Sequence, residues 1–214
     1  MASSIIRRSW FSWPGPVEVS AGFEDGSLAF FQTVSPGVGS ITVEAAAARV
    51  GAYGLKILEA AASATAVYVR RLFPATHHVR AKGSFRSPTE GAGGNNNASL
   101  RIFSGSTRIL DIYRENVTGA MWLRTLNAAS TLVFTNTGQT RALNTWYTYD
   151  IEVWWRGTGA VSRVKVILDG VTRIDASTFD LKQGGFTAVQ FGAEHPSQHV
   201  DLHVDEIVID PAAA

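Results

Sequence analysis

Hydrophobic and polar residues alternate strictly from Trp146 to Arg156, in the run WYTYDIEVWWR. With a two-residue period, Tyr147, Tyr149, Ile151, Val153 and Trp155 share one face of a strand, and Trp146, Thr148, Asp150, Glu152 and Trp154 share the other. The first set predicts a side turned to a core. The second combines two indoles, two carboxylates and a hydroxyl, a surface that is costly to leave bare on a sheet. It predicts an outward face suited to binding.

The same kind of pattern recurs along the chain. From Ser99 onward, SLRIFSG, TRILDIYRE, MWLRTLN, TLVFTNTG, SRVKVILDG, VTRIDAS, FTAVQFGA and VDLHVDEIVID are strand-like runs separated by Gly, Asn or Ser. GAYGLKIL, ATAVYVRRLF and HHVRAKGSF read as strands before them. Many short strands with almost no helix predict a single all-β sandwich or barrel. Asp169-Gly170 and Asn136-Thr137-Gly138 are expected to be hairpin turns. EAAAARV favours helix by composition but has no clean capping signal, so it is expected as strand or short loop. SPTEGAGGNNNAS is too polar to pack and predicts a loop.

Residues 1–20 predict an extended arm, because Pro14 and Pro16 bar helix. Trp10, Phe11 and Trp13 on it are aromatic anchors, which either fold back on the sandwich or dock on a partner chain. The globular domain is expected over residues 21–210, and Pro211 to Ala214 form a short tail.

Composition narrows the function. Hydrophobic residues make up 45% of the 214, enough for one core, and 19 Lys+Arg against 18 Asp+Glu leave no basic footprint for nucleic acid. There is no cysteine, hence no disulfide framework and no thiolate nucleophile or metal ligand. No run approaches the roughly 18 apolar residues of a membrane span. The N-terminal stretch lacks the continuous apolar region of a secretory signal.

The 146–156 face reads as a sugar platform: Trp146 and Trp154 stack on pyranose rings while Thr148, Asp150 and Glu152 bond hydroxyls. Trp122 and Tyr113, on neighbouring runs, are expected to extend it. The bland alternative is that these rings pack under a loop or against another subunit. Asp150 and Glu152, two apart on one face, also approach the separation of roughly 5 to 5.5 Å found in retaining glycosidases, although such a pair is more often simply solvated. His199, Asp201, His203 and Asp205 alternate along the last run, a candidate metal or pH-sensitive row whose commoner meaning is a self-paired strand face. No serine elbow, P-loop or dinucleotide motif occurs in a strand-turn-helix setting.

Four short motifs occur in order: Gly22-Phe23-Glu24-Asp25-Gly26, Gly51-Ala52-Tyr53-Gly54-Leu55-Lys56-Ile57, Trp146-Tyr147, and His203-Val204-Asp205-Glu206-Ile207-Val208-Ile209. They resemble the jelly-roll carbohydrate-binding modules and the wider concanavalin A-like lectin and glucanase (laminin G-like) group. The resemblance spans roughly residues 21–210 and implies a jelly-roll β-sandwich of two antiparallel sheets. In calcium-dependent modules of this type the acidic residues of the first and last motifs help bind a structural calcium, which here implies Glu24 and Asp205. Two carboxylates with backbone carbonyls would supply hard oxygen ligands. Glu206 departs from the second Asp of the pattern.

The sequence therefore predicts a non-catalytic, lectin-like surface or attachment component of a larger assembly, with a phage virion (tail or capsid decoration) as the expected setting. The arm would contact other assembly proteins in a homo- or hetero-oligomer, and a cell-surface glycan is the expected ligand. The alternatives are a purely structural virion protein and a glycan hydrolase or lyase.

Overall fold

The computed structural model of the chain describes residues 19–59, 65–91, 96–159, 161–193, 195–196 and 198–211. The expected anchors Trp10, Phe11 and Trp13 lie outside these residues, as do most of the arm and Ala212 to Ala214.

Fifteen strands follow one another: β1 (Val19–Ala21), β2 (Thr33–Ser35), β3 (Gly39–Glu44), β4 (Gly54–Glu59) and β5 (Tyr68–Thr76). Next come β6 (His78–Arg86), β7 (Asn97–Ser104), β8 (Thr107–Arg114), β9 (Ala120–Leu126) and β10 (Leu132–Thr140). The last are β11 (Tyr147–Trp154), β12 (Ser162–Leu168), β13 (Val171–Phe179), β14 (Phe186–Gly192) and β15 (Asp201–Asp210). They form two antiparallel sheets that do not close on each other. Sheet A runs β13-β12-β11-β6-β15-β4-β3, with β1 beside β15, and sheet B runs β10-β9-β8-β7-β14-β5-β2. The expected all-β sandwich is the observed fold.

Alternation within each strand builds the core. In β12 every second residue of SRVKVIL is buried, and in β9 every second residue of AMWLRTL. Leu55, Ile57, Val79, Ala81, Ile151, Val153, Val164 and Val166 of sheet A meet Val69, Leu100, Ile102, Ile112, Leu123, Val189 and Phe191 of sheet B in one cluster. Each fully buried aliphatic side chain contributes about 1.5 to 3 kcal/mol relative to exposure. Phe85 and Tyr149 stack at 4.7 Å within it.

Turns explain most of the departures from expectation. Asp169 and Gly170 both take positive φ, as a tight two-residue hairpin requires. Asn136-Thr137-Gly138 is not a hairpin. It is a bulge inside β10, where the register with β9 shifts between Asn136 and Thr140. The Asn136 side chain accepts from the Gly138 N–H at 2.7 Å, and buried Thr137 donates to the Met121 carbonyl at 2.9 Å. These local bonds mimic a turn in sequence while the strand continues. The alanine run forms a single 3-10 turn, Ala45–Ala47. Val19 and Ser20, assigned to the arm by sequence, pair with Ile209 and Val208 in β1. Asn97 to Ser99, expected in a loop, open β7.

Candidate functional site

β11 sits between β6 and β12, and its two faces divide as the alternation predicts. Tyr149, Ile151 and Val153 are buried in the core, with Tyr147 and Trp155 packed at its rim. Trp146, Thr148, Asp150, Glu152 and Trp154 lie on the opposite, outer face of sheet A. Their neighbours decide what they can do. His78 of β6 and Arg163 of β12 stand directly across from Trp154, one from each flanking strand. The imidazole stacks on the indole at 4.6 Å, and the guanidinium lies 4.7 Å from the ring centre. A sugar ring would have to displace one of them. Asp150 accepts two hydrogen bonds from Arg80, at 2.9 and 2.6 Å, and Glu152 lies 2.9 Å from His78 Nε2. Both carboxylates are ion-paired across strands and Asp150 is buried, so they are not the simply solvated pair weighed above. Trp146 has Arg86 at 5.0 Å over its ring.

Trp122 and Tyr113 do not extend this platform. They face each other on β9 and β8 of sheet B, across the sandwich from β11. There they border a feature that spans all seven strands of sheet B. In register across it stand Thr33, Arg70, Gln190, Arg101, Asp111, Arg124 and Phe134. Arg101 is 1% exposed and Asp111 fully buried. Arg124 binds Asp111 through both Nε and a terminal nitrogen, Arg108 comes within 3.4 Å of the same carboxylate, and Arg101 Nε within 3.8 Å. Arg101 donates one bond to the Gly192 carbonyl at 2.8 Å, while its Nε and second terminal nitrogen have no hydrogen-bond partner among the described residues. Arg70 donates to Gln190 and lies 4.3 Å over the Phe103 ring.

Electrostatics follow from this crowding. Burial pulls the Arg101 pKa down to about 9, with Asp111 offsetting part of the loss and the guanidinium groups of Arg108, Arg124 and Arg70 adding to it. Arg108 is lowered for the same leading reason. Burial also raises the Tyr113 phenol, against the pull of Arg124. Three guanidinium groups, those of Arg101, Arg108 and Arg124, thus converge on the Asp111 carboxylate. Phe134, 51% exposed at the edge strand, and the Trp122 indole provide apolar surface beside them.

Sequence reading passed over this row, yet its signal is present. Arg70, Arg101, Asp111, Arg124 and Gln190 each interrupt an otherwise apolar or aromatic run near the middle of a strand. A charge at an interior position of several consecutive strands is unusual, since ionised side chains are rarely buried without partners.

The carboxylates expected to hold calcium have other duties. Asp205, 1% exposed, accepts from the N–H groups of Arg49 at 2.8 Å and Val50 at 3.0 Å with Oδ2, and from Glu206 at 2.7 Å with Oδ1. Glu24 accepts from the Ala52 N–H at 2.8 Å. Asp205 ties Arg49 and Val50 to the middle of β15, and Glu24 ties Ala52 to the 22–26 turn. N–H hydrogens point at both Asp205 oxygens and at Glu24 Oε2, which leaves too few free carboxylate oxygens for the calcium site the motifs imply. The His-Asp row loses its first member, because His199 precedes β15 with positive φ, while Asp201, His203 and Asp205 keep alternate positions on the strand. His203 instead joins Arg86 at 2.6 Å and Asp201 at 3.5 Å. Among the described residues no group of three or more acidic, His or Cys side chains could hold a metal ion.

No family model matches the sequence, and no curated protein matches it. Similar solved structures exist. An endo-β-1,4-glucuronan lyase from the fungus Trichoderma reesei superposes with a TM-score of 0.68 at 11% identity, over 88% of this chain and 93% of that one. The cellulose induced protein Cip1 gives 0.62 at 15% identity, over 92% and 98%. The alginate lyase Aly36B, as a mutant in complex with alginate tetrasaccharide, gives 0.56 at 10% identity, over 93% and 99%. These likenesses establish the fold, a concanavalin A-like jelly roll.

Proposed function

We propose that this domain is a lectin-like module that binds a carboxylate-bearing polysaccharide across the outer face of sheet B. The observation that carries the reading is Arg101, a buried cation with unfilled donors, set in a row of arginines flanked by Trp122, Tyr113 and Phe134. Replacing buried ion pairs by apolar residues often costs nothing or stabilises, so a charged row inside a sheet is poorly explained by stability alone. Guanidinium groups match carboxylates in shape and charge, and aromatic faces suit the apolar faces of sugar rings. Two of the similar structures are lyases of uronic-acid polymers by their descriptions, glucuronan and alginate, which agrees with an acidic glycan.

The test is binding of the whole chain to polymannuronate and to neutral mannan, each at low and high salt. The proposal expects binding to the acidic polymer alone, weakened by salt. Arg70→Gln and Phe134→Ala should each weaken it about tenfold, the scale of one lost charge-assisted contact. Equal binding to mannan, or no binding to either, overturns it and leaves a purely structural role.

A second reading, cleavage of the same polymer, is favoured by Tyr113. Burial keeps its phenol protonated beside Arg124, the state a proton donor needs. Release of unsaturated uronate ends, followed by their ultraviolet absorbance, would select it. The comparisons lend nothing to the expected virion setting.

A further inference from the structure

On the opposite side of the sandwich the ion pairs of sheet A are displaced by one step from the strand register. In the β6–β11 ladder Lys82 stands across from Asp150, Arg80 from Glu152, and His78 from Trp154. The acids do not bond the residues they face. Asp150 pairs with Arg80, and Glu152 with His78. The displacement uses up both carboxylates and leaves Lys82, at the end of the row, with no hydrogen bond or ion pair among the described residues.

Lys82 lies where two depressions of about 470 Å³ each meet. Both are lined by Arg49, Lys82 and Thr148. The first continues past Ser84 and Glu206 to Gly22, and the second past Asp150 and Asp169 to Trp146. The other charges of this groove are spoken for. Arg49 binds Glu206 at 2.9 Å and the Thr148 hydroxyl at 2.9 Å, and Asp169 binds Arg141 at 2.8 Å. Lys82 is thus a half-buried residue in a polar groove whose acids are already paired.

We propose that this groove is a second ligand site, separate from the face of sheet B, that takes a short acidic oligosaccharide with its anionic group at Lys82 and a sugar ring against Trp146. Trp146 and Asp150 lie four residues apart on one strand face, and Lys82 is level with Asp150. The backbone positions of Trp146 and Lys82 are therefore about 13 Å apart along the strand, a span of two or three sugar units. The hydroxyls of Ser84 and Thr148 and the Arg49 guanidinium lie between or beside them. An exposed ammonium gains little from a distant anion in water, but a half-buried one without a counter-charge gains more.

The experiment is a titration of the isotope-labelled full chain with alginate trisaccharide, and separately with neutral β-1,4-mannotriose, followed by nuclear magnetic resonance. The acidic trisaccharide should shift the amides of Lys82 and Thr148 and the indole N–H of Trp146, and the neutral one should not. Lys82→Met should abolish these shifts and Lys82→Arg should retain them, each with the rest of the spectrum unchanged. Shifts confined to sheet B residues such as Arg124 and Trp122 would overturn the second site while leaving the first. Groove shifts without sheet B shifts would do the reverse. Groove shifts that survive Lys82→Met, or appear equally with the neutral sugar, overturn the role of Lys82.

Discussion

Arg101 and Asp111 stand directly opposite each other on β7 and β8, both almost without solvent, with Arg101 Nε 3.8 Å from Asp111 Oδ2. The pair is asymmetric. Asp111 is shared by Arg101, Arg108 and Arg124, whereas Arg101 has this one acid within ion-pair reach among the described residues. Removing the acid strands several buried cations, which costs about 3 to 5 kcal/mol by analogy with broken buried pairs. Removing Arg101 leaves Asp111 with two partners and relieves a desolvated charge. Urea denaturation should therefore find Asp111→Asn strongly destabilised, and Arg101→Met unchanged or more stable. The same Arg101→Met protein should bind polymannuronate more weakly, a separation of stability from binding that a purely structural row would not produce.

The fold was legible because period-two alternation and turn residues are local properties, and in β9, β11 and β12 they point the same way as the packing. The site was less legible for a reason that is not local. Sequence can say that Trp146 and Trp154 face outward on their strand, but not which face Trp122 and Tyr113 take, nor that β11 belongs to one sheet and β8 and β9 to the other. It also places Asp150 and Glu152 on the outer face without revealing that Arg80 and His78 reach them diagonally. The arginine row of sheet B depends on the register of seven strands drawn from distant parts of the chain, so only the folded topology assembles it. Glu24 and Asp205 were found by motif, but the loop whose N–H groups they accept was not part of the motif.

Trp154 offers a test of that reassignment. Its indole is flanked by His78 and Arg163, and Arg163 is itself tied to Asp175 at 2.7 and 2.9 Å. Such a ring is a strut between strands more than a landing surface. Trp154→Ala should leave affinity for polymannuronate within about twofold of wild type, well under the 1.4 kcal/mol of a tenfold change. Isothermal titration of the two proteins decides it, and a tenfold loss would restore the indole as a contact residue.

Asp205 is expected to matter for stability and not for metal. It is buried and accepts three backbone N–H groups, so truncation leaves those donors unsatisfied as well as losing the bonds. Asp205→Ala should cost at least about 3 kcal/mol, given roughly 1 to 3 kcal/mol for each buried group left unpaired. Thermal melts of the wild type should superimpose in excess calcium and in excess chelator. A rise in midpoint with calcium would show that the cation displaces the N–H contacts described here.

The dependence of stability on pH combines two opposite contributions. Glu90 is lowered from its ordinary value of 4.5, first by the hydrogen bond from Arg114 and then by the Val117 N–H. A carboxylate lowered in the folded chain stabilises it fully above the unfolded value, and that contribution disappears as pH falls from 4.5 through the folded pKa. Asp25 and Asp175, lowered from 3.8 by Ser27 and Arg163, behave alike at lower pH. Glu59 runs the other way, because burial raises it above 4.5. Its folded form holds the proton more tightly, so the benefit exists below 4.5 and is lost as pH rises through the folded pKa. At neutral pH Glu59 is therefore a buried charge that weakens the fold. Glu90→Gln should lower the denaturation midpoint at pH 7 and converge with wild type on acidification. Glu59→Gln should raise the midpoint at pH 7, and that gain should vanish on acidification. Denaturant titrations of the three proteins at pH 7 and at pH values stepped down below 4 measure both trends. A Glu59→Gln protein that is less stable than wild type at pH 7 would reverse the sign assigned to that group.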